Sequence, residues 1–520
     1  MRTPFLSRPA ALRPGRFLLF LLLAGLPAWA DVRLPGLFSD NMVLQQGLPL
    51  PVWGWANPGE SVQVEFRKQH VATKAGPDGR WRVTLRAETA GGPDRFVVTG
   101  QQRVELQNVL VGEVWICSGQ SNMEWPLNRS FESQTDIANA TNPQLRLFTV
   151  PKKRATAPVD DVPSHWELCT PAAVPNFSAV GYYFGRALQQ ARQVPVGLIH
   201  TSWGGSPAEV WMDQATLAGN PGYQRDILDP FQTTRRNYET ALAQWEKEKA
   251  DAEKAGAKFD KGRPWEPWRP TELYNGMIAP LVPYAIRGAI WYQGESNAGR
   301  AWQYRTLFAD MIRNWRRDWK QGDFTFLAVE LAPWDRNKKR TLEQIGAEPV
   351  ESDWAELREA QGIVARNLPK VGVAVITDVG DKDDIHPTRK GPVGERLALA
   401  ARVIAYREKI AGLSPRFEKV RFAKGEAVVS FKPIGGGLTS RGAELTGFAV
   451  AGPDRKFVWA RATLRGRNQV VVQSPAVPQP VAVRYGWADY PIVNLFSEEG
   501  LPVAPFRTDS FPMLTEPKKP

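Results

Sequence analysis

Ser121 stands in Val114-Trp-Ile-Cys-Ser-Gly-Gln-Ser-Asn-Met-Glu-Trp125, where an apolar run turns toward helix-forming residues. A serine on such a strand-to-helix corner is exposed at the carboxyl edge of a sheet, and helix-end amides behind it favour the negative charge that develops after attack on a carbonyl. Its own backbone N–H is one candidate oxyanion donor, and Gly119 lets the turn close tightly. Taken alone, Gly-Gln-Ser-Asn also fits a Ser/Asn helix cap, so a nucleophile needs partners. An imidazole base must be one of His70, His165, His200 and His386. His70 lies in an alternating β-type segment and His165 in a Pro-rich stretch, whereas His200 ends an apolar strand-like run and competes for the role. His386 sits in Asp381-Lys-Asp-Asp-Ile-His-Pro387. A carboxylate there can hold the ring by its Nδ1 hydrogen and leave Nε2 free to take the serine proton.

Two further loops follow strand-like runs. Thr201-Ser-Trp-Gly-Gly-Ser-Pro207 carries adjacent glycines that let backbone amides approach a substrate oxygen, and Trp291-Tyr-Gln-Gly-Glu-Ser-Asn297 carries amide donors. Each loop alone fits ordinary strand-to-helix punctuation; together they mark one crevice, because the carboxyl ends of parallel strands converge. Glu295 reads as a group that orients its loop, since a serine with a histidine base needs no further carboxylic acid. Trp125, Trp203 and Trp334 are candidate sugar-stacking rings.

The elements that must position these residues are legible as pattern. Residues 31–107 alternate polar and apolar in short runs, such as Val62–Phe66 and Trp81–Leu85, separated by turn signals at Asn57-Pro-Gly59 and Asp78-Gly79, and read as an all-β domain. From 108 to 412, apolar runs at Val109–Cys117, Val196–His200, Gly288–Tyr292, Phe324–Leu331 and Val371–Thr377 alternate with helical periodicity. That alternation predicts an α/β unit, a parallel sheet covered by helices. A charged segment around 213–270, with Glu and Lys three or four apart, predicts a solvated helical insertion. Short β runs return over 413–515, and 516–520 form a polar tail.

A hydrophobic content of 43% excludes general disorder, and two cysteines, Cys117 and Cys169, exclude a disulfide-stapled scaffold while leaving one bridge open. Residues 1–30 carry Arg2, Arg8, Arg13 and Arg16, the apolar run Phe17–Leu26 and Ala28-Trp-Ala30, which reads as a signal peptide and predicts a secreted or periplasmic protein without a membrane anchor. Removing those four arginines lowers the formal charge from +12 to +8, and no dense basic tract remains, so nucleic acid is not an expected partner.

Gly119-Gln-Ser-Asn-Met123, Trp203-Gly-Gly205, Trp291-Tyr-Gln-Gly-Glu-Ser-Asn297 and Asp384-Ile-His-Pro387, in that order, resemble the sialate O-acetylesterase family of the SGNH hydrolases. The resemblance extends to Met42-Val-Leu-Gln45 and Arg484-Tyr-Gly-Trp-Ala-Asp489. It implies an SGNH-type parallel sheet flanked by helices, with N-terminal and C-terminal all-β domains. It also implies a cofactor-free serine esterase acting on an O-acetylated sugar or glycan, with Ser121 as nucleophile and His386 as base. Oxyanion or substrate contacts would come from Gln120, the Ser121 amide, Gly205, Gln293 and Asn297. The triad acid is Asp384 or Asp383: the common pattern places an aspartate three residues before the histidine, and the Asp-Ile-His-Pro form favours Asp384. Alternatives are an acetyl esterase for xylan or another polysaccharide, and a carbohydrate-binding envelope protein with a degenerate hydrolase domain.

Overall fold

The computed structural model of the chain describes residues 1, 31–432 and 435–518. Residues 2–30 of the expected signal peptide and the last two residues of the tail lie outside the described residues.

The sheet under the site contains β1 (Arg103–Gly119), β2 (Asn142–Thr149), β3 (Trp166–Cys169), β4 (Val196–Ser202), β5 (Gly288–Tyr292), β6 (Thr325–Val329) and β7 (Val371–Ala374). Their order is β7-β6-β5-β1-β4-β2-β3, with every neighbouring pair parallel except β2 and β3. The α/β architecture read from the alternating runs is therefore present. β2 and β3 were not expected: their segment is interrupted by polar and proline residues and lacks the uninterrupted apolar run of a central strand.

The strands β4, β5, β6 and β7 and the second half of β1 are buried on both faces, and strand periodicity explains how. Trp115, Cys117, Ile290 and Tyr292 enter one core while Val114, Ile116, Ala289 and Trp291 enter the other, so residues two apart share a face and the strands read as continuous apolar runs. Helices α1 (Ser121–Glu124), α2 (Ala179–Arg192), α3 (Asp229–Lys254), α4 (Ala301–Trp319), α5 (Asp353–Asn367) and α6 (Gly391–Ile404) follow in chain order. α2 and α6 pack together over the first core, and α4 and α5 over the second. The Ser178 and Ser352 side chains cap α2 and α5 by accepting backbone N–H groups of Gly181 and Ala355. α3 is a 26-residue helix with no buried residue, stabilised along its surface by pairs such as Arg235–Glu239.

β1 belongs to two sheets. Up to Val111 it pairs with Gly91–Thr99 of the N-terminal β segment, and from Glu113 onward with β4. Asn108, at φ 58°, falls at a register shift within the first of these pairings, between Leu106 and Val109; asparagine tolerates this left-handed backbone better than most residues. At the other end of the chain, two four-stranded antiparallel sheets enclose a core containing Phe431, Phe448, Tyr485 and Phe506. Buried Arg358 of α5 joins this region to the central sheet by donating to the carbonyls of Leu331, Ala488 and Asp489. Cys117 and Cys169 are both free and buried, which closes the question of a bridge.

Candidate active site

β1 lies between β4 and β5, so the loops leaving these three strands meet at one carboxyl edge. The turn after β1 is built by backbone contacts. Gly119 has φ 141°, and a Cβ there would stand 2.2 Å from the Tyr292 carbonyl oxygen. The Gln120 N–H donates to that carbonyl at 3.0 Å and the Trp203 N–H donates to the Gly119 carbonyl at 3.1 Å. Ser121 is thereby fixed as the first residue of α1.

The Ser121 Oγ lies 2.9 Å from His386 Nε2. Asp384 Oδ1 lies 3.4 Å from His386 Nδ1 and accepts the His386 backbone N–H at 2.8 Å. Asp383 instead pairs with Lys382 and is largely exposed. The structure thus brings Ser121, His386 and Asp384 together in line. The indole of Trp125 stacks on the imidazole with centroids 5.5 Å apart and planes 18° apart. Burial pulls His386 below its ordinary pKa, Lys390 and Arg129 add to that pull, and Asp384 opposes it.

His200 also lines the cleft, but its Nε2 bonds Ser202 Oγ at 2.6 Å. Burial pushes its pKa down to about 4, so it is a neutral ring in the wall. His70 pairs at 3.7 Å with Glu65 in the N-terminal sheet.

Gly204 faces the serine: a Cβ on it would stand 3.2 Å from Ser121 Cβ. Its N–H donates to Glu124 Oε2 at 2.6 Å, and Glu124 pairs with Lys152. Gly205 stands one residue further on, with φ 75°, and its carbonyl accepts from Ser296 Oγ. Gln293 and Asn297 are not on the cleft wall. Both are buried, Gln293 Nε2 donates to Asn297 Oδ1 at 2.6 Å, and Asn297 Nδ2 donates to Glu209 at 2.9 Å. Gln120 is likewise buried, with its side-chain oxygen 3.4 Å from the backbone N–H groups of Gly294 and Ser296. These three amides brace the strand-end loops against one another, because a buried carboxamide must spend its donors and acceptor on neighbours. Trp125 and Trp203 line the cleft, whereas Trp334 packs on Trp354 elsewhere.

The cleft has a volume of about 720 Å³. Arg129, which sequence reasoning missed, reaches into it with its guanidinium 4.2 Å from the Trp125 ring centroid and no ion-pair partner among the described residues. Its only sequence signal is its position eight residues after Ser121. Asn122 and Lys390 were also missed. Lys390 Nζ bonds Asn122 Oδ1 at 2.5 Å, directly behind the serine turn. Among the described residues, no group of three or more His, Cys, Asp or Glu side chains is arranged to hold a metal ion.

A family model described as carbohydrate esterase, sialic acid-specific acetylesterase, matches residues 111–255 and 254–402. The chain belongs to this family. The esterase is 30% identical to the rat (Rattus norvegicus) sialate O-acetylesterase over 76% of this chain and 78% of that protein. With the mouse (Mus musculus) sialate O-acetylesterase it shares 28% identity over 87% of this chain and 89% of that one. Among solved structures, a carbohydrate acetylesterase from Xanthomonas citri is 39% identical and superposes with a TM-score of 0.78 over 92% of the esterase and 100% of that chain. The esterase is thus a carbohydrate O-acetylesterase with an SGNH-type fold.

Proposed function

We propose that the esterase removes O-acetyl groups from sialic acids by acyl transfer through Ser121, His386 and Asp384, and that it acts after export from the cytoplasm. The observation that carries the mechanism is the 2.9 Å contact between Ser121 Oγ and His386 Nε2 at the carboxyl edge of the sheet. Nε2 takes the serine proton as Oγ attacks the acetyl carbonyl, and returns it to the departing sugar oxygen; water then cleaves the acetyl-enzyme by the same path. Asp384 favours the tautomer with its proton on Nδ1 and stabilises the imidazolium formed during attack. The Ser121 amide supplies a backbone donor for the developing oxyanion, and the Gly204 amide beside it, which donates to Glu124 Oε2, would supply a second once released from that carboxylate. Export rests on the charge and apolar pattern of residues 1–30.

Sialic acids carry a carboxylate, and Arg129 supplies an uncommitted guanidinium beside the stacked Trp125–His386 pair. A second reading, deacetylation of a carbohydrate other than sialic acid, rests on the 39% identity to the Xanthomonas citri enzyme, which is described as a carbohydrate acetylesterase. Acetate release from O-acetylated sialic acid and from acetylated xylan, measured side by side, separates the two. The expected result is preference for sialic acid, with Arg129→Gln raising KM for it about tenfold and leaving acetylated xylan unchanged. Turnover of acetylated xylan alone contradicts the assignment of sialic acid.

A further inference from the structure

Behind the reacting pair lies a buried polar chain that the acyl-transfer scheme does not use. Asn122, next to the serine, spends its carboxamide on three partners from two strand-end segments. Its Nδ2 donates to Glu295 Oε1 at 2.7 Å and to the Ile385 carbonyl at 3.0 Å. Its Oδ1 accepts from Lys390 Nζ at 2.5 Å. Ile385 immediately precedes His386, Lys390 precedes α6, and Glu295 follows β5. The Lys390 side chain is enclosed, with Nζ 5.7 Å from the Trp125 ring centroid and 5.3 Å from that of Tyr292. Glu295 is enclosed too, and its Oε2 has no partner among the described residues. A lone buried ammonium or carboxylate is strongly disfavoured; here a carboxamide couples one to the other across the turn that carries the serine.

We propose that Lys390, Asn122 and Glu295 form a positioning relay that locks the Ser121 turn to the His386 loop and sets one buried positive charge beside the imidazole. It rests on the reading of Ser121 and His386 as the reacting pair. Three features distinguish it from ordinary core hydrogen bonding. The relay ends on the backbone of the residue before the base, it uses every carboxamide group of the residue after the nucleophile, and its cation stands over the ring that stacks on His386. Burial lowers Lys390 to about 7, so its charge changes near neutral pH, and burial raises Glu295. The charges that act on Lys390 are Glu295 from the β5 loop and Asp384 from the histidine loop, and those that act on His386 are Asp384, Lys390 and Arg129 from the cleft wall.

The test is steady-state hydrolysis of an aryl acetate against pH, with thermal melting as the control for folding. Lys390→Met is expected to lower kcat about tenfold, leave KM within about twofold and move the acid limb of kcat/KM to higher pH, because a cation that disfavours the imidazolium has gone. Glu295→Gln keeps an acceptor for Asn122 and is expected to stay within about threefold of the parent kcat, whereas Glu295→Ala loses about tenfold. A folded Lys390→Met with unchanged kcat and acid limb overturns the proposal. If Lys390→Met does not fold, the Glu295 pair decides: equal activity of the Gln and Ala variants overturns it. Ser121→Ala, run in parallel, separates this failure from failure of the underlying mechanism. A fully active Ser121→Ala would remove the reacting pair itself.

Discussion

The turn that carries Ser121 and the loop that carries His386 reach the same hydrogen bond by opposite means. The serine turn is held by backbone: Gly119 against the Tyr292 carbonyl, the Gln120 N–H donating to that carbonyl and the Trp203 N–H donating to the Gly119 carbonyl. The histidine loop is held largely by side chains. Asp381 Oδ1 accepts the N–H groups of Asp383 and Asp384, Asp384 accepts that of His386, Asn122 grips the Ile385 carbonyl, and Trp125 covers the ring. A nucleophile set by the sheet has one position, while a base set by exchangeable side chains can be tuned in position and proton affinity. The first device resists substitution and the second responds to it gradually.

Breaking the backbone side has the largest expected effect. Gly119→Ala places a methyl 2.2 Å from a carbonyl oxygen and strains a φ of 141°, so it is expected to abolish soluble, folded esterase. Expression, melting and aryl acetate turnover check it. A stable variant of parental activity would show that the turn is not rigidly held.

On the side-chain side, His386→Ala is expected to reduce kcat by about three orders of magnitude with the fold intact, and His200→Ala by less than about tenfold, since His200 bonds Ser202 rather than the nucleophile. Essential His200 would exchange the two assignments. Next in size is the aspartate pair. Asp384→Asn should lower kcat by about tenfold to a hundredfold, less than a short triad bond would give because its oxygen is 3.4 Å from Nδ1. Asp383→Asn, at the exposed Lys382 pair, should change it by less than about twofold. Equal effects would mean that the histidine is oriented by its backbone neighbours alone.

The smallest effects are in pH. His386 must be neutral to accept a proton, and its pKa lies below the ordinary 6.5, so kcat/KM should rise with pH through a midpoint under that value. A midpoint above it contradicts the direction given by burial. His200 affects stability instead. Its folded pKa of about 4 lies below 6.5, so the unfolded chain binds more protons between those values and stability falls as pH drops through that window, by roughly 3 kcal/mol at full extent. His200→Gln should flatten this part of the melting-temperature profile; an unchanged slope would assign the acid sensitivity elsewhere.

The same contrast decides what could be read without coordinates. β1, β4 and β5 were legible because strands buried on both faces are apolar throughout, and Ser121 was legible as the residue that ends such a run. The short β runs expected over 413–515 are likewise present, among them Glu426–Lys432 and Gln469–Gln473. β2 and β3 were not legible, since their burial is partial and their pattern broken. Asp384 and Asp383 could not be separated by spacing, because a loop has no period. Gln293, Asn297 and Gln120 were recognised as important amides, but sequence cannot say whether an amide faces substrate or its neighbours; here all three face inward. Arg129 and Lys390 lay outside every motif, and only folding brings them to His386.

The central claim is that Ser121 carries the acetyl group between sugar and water. Mass spectrometry of peptides from the esterase, quenched in acid during turnover of an activated acetyl ester, tests it most directly. One acetyl group is expected on the peptide containing Ser121, absent in Ser121→Ala and accumulating in His386→Ala variants that still acylate slowly. An acetyl group on a different side chain, or undiminished turnover by folded Ser121→Ala, would contradict it.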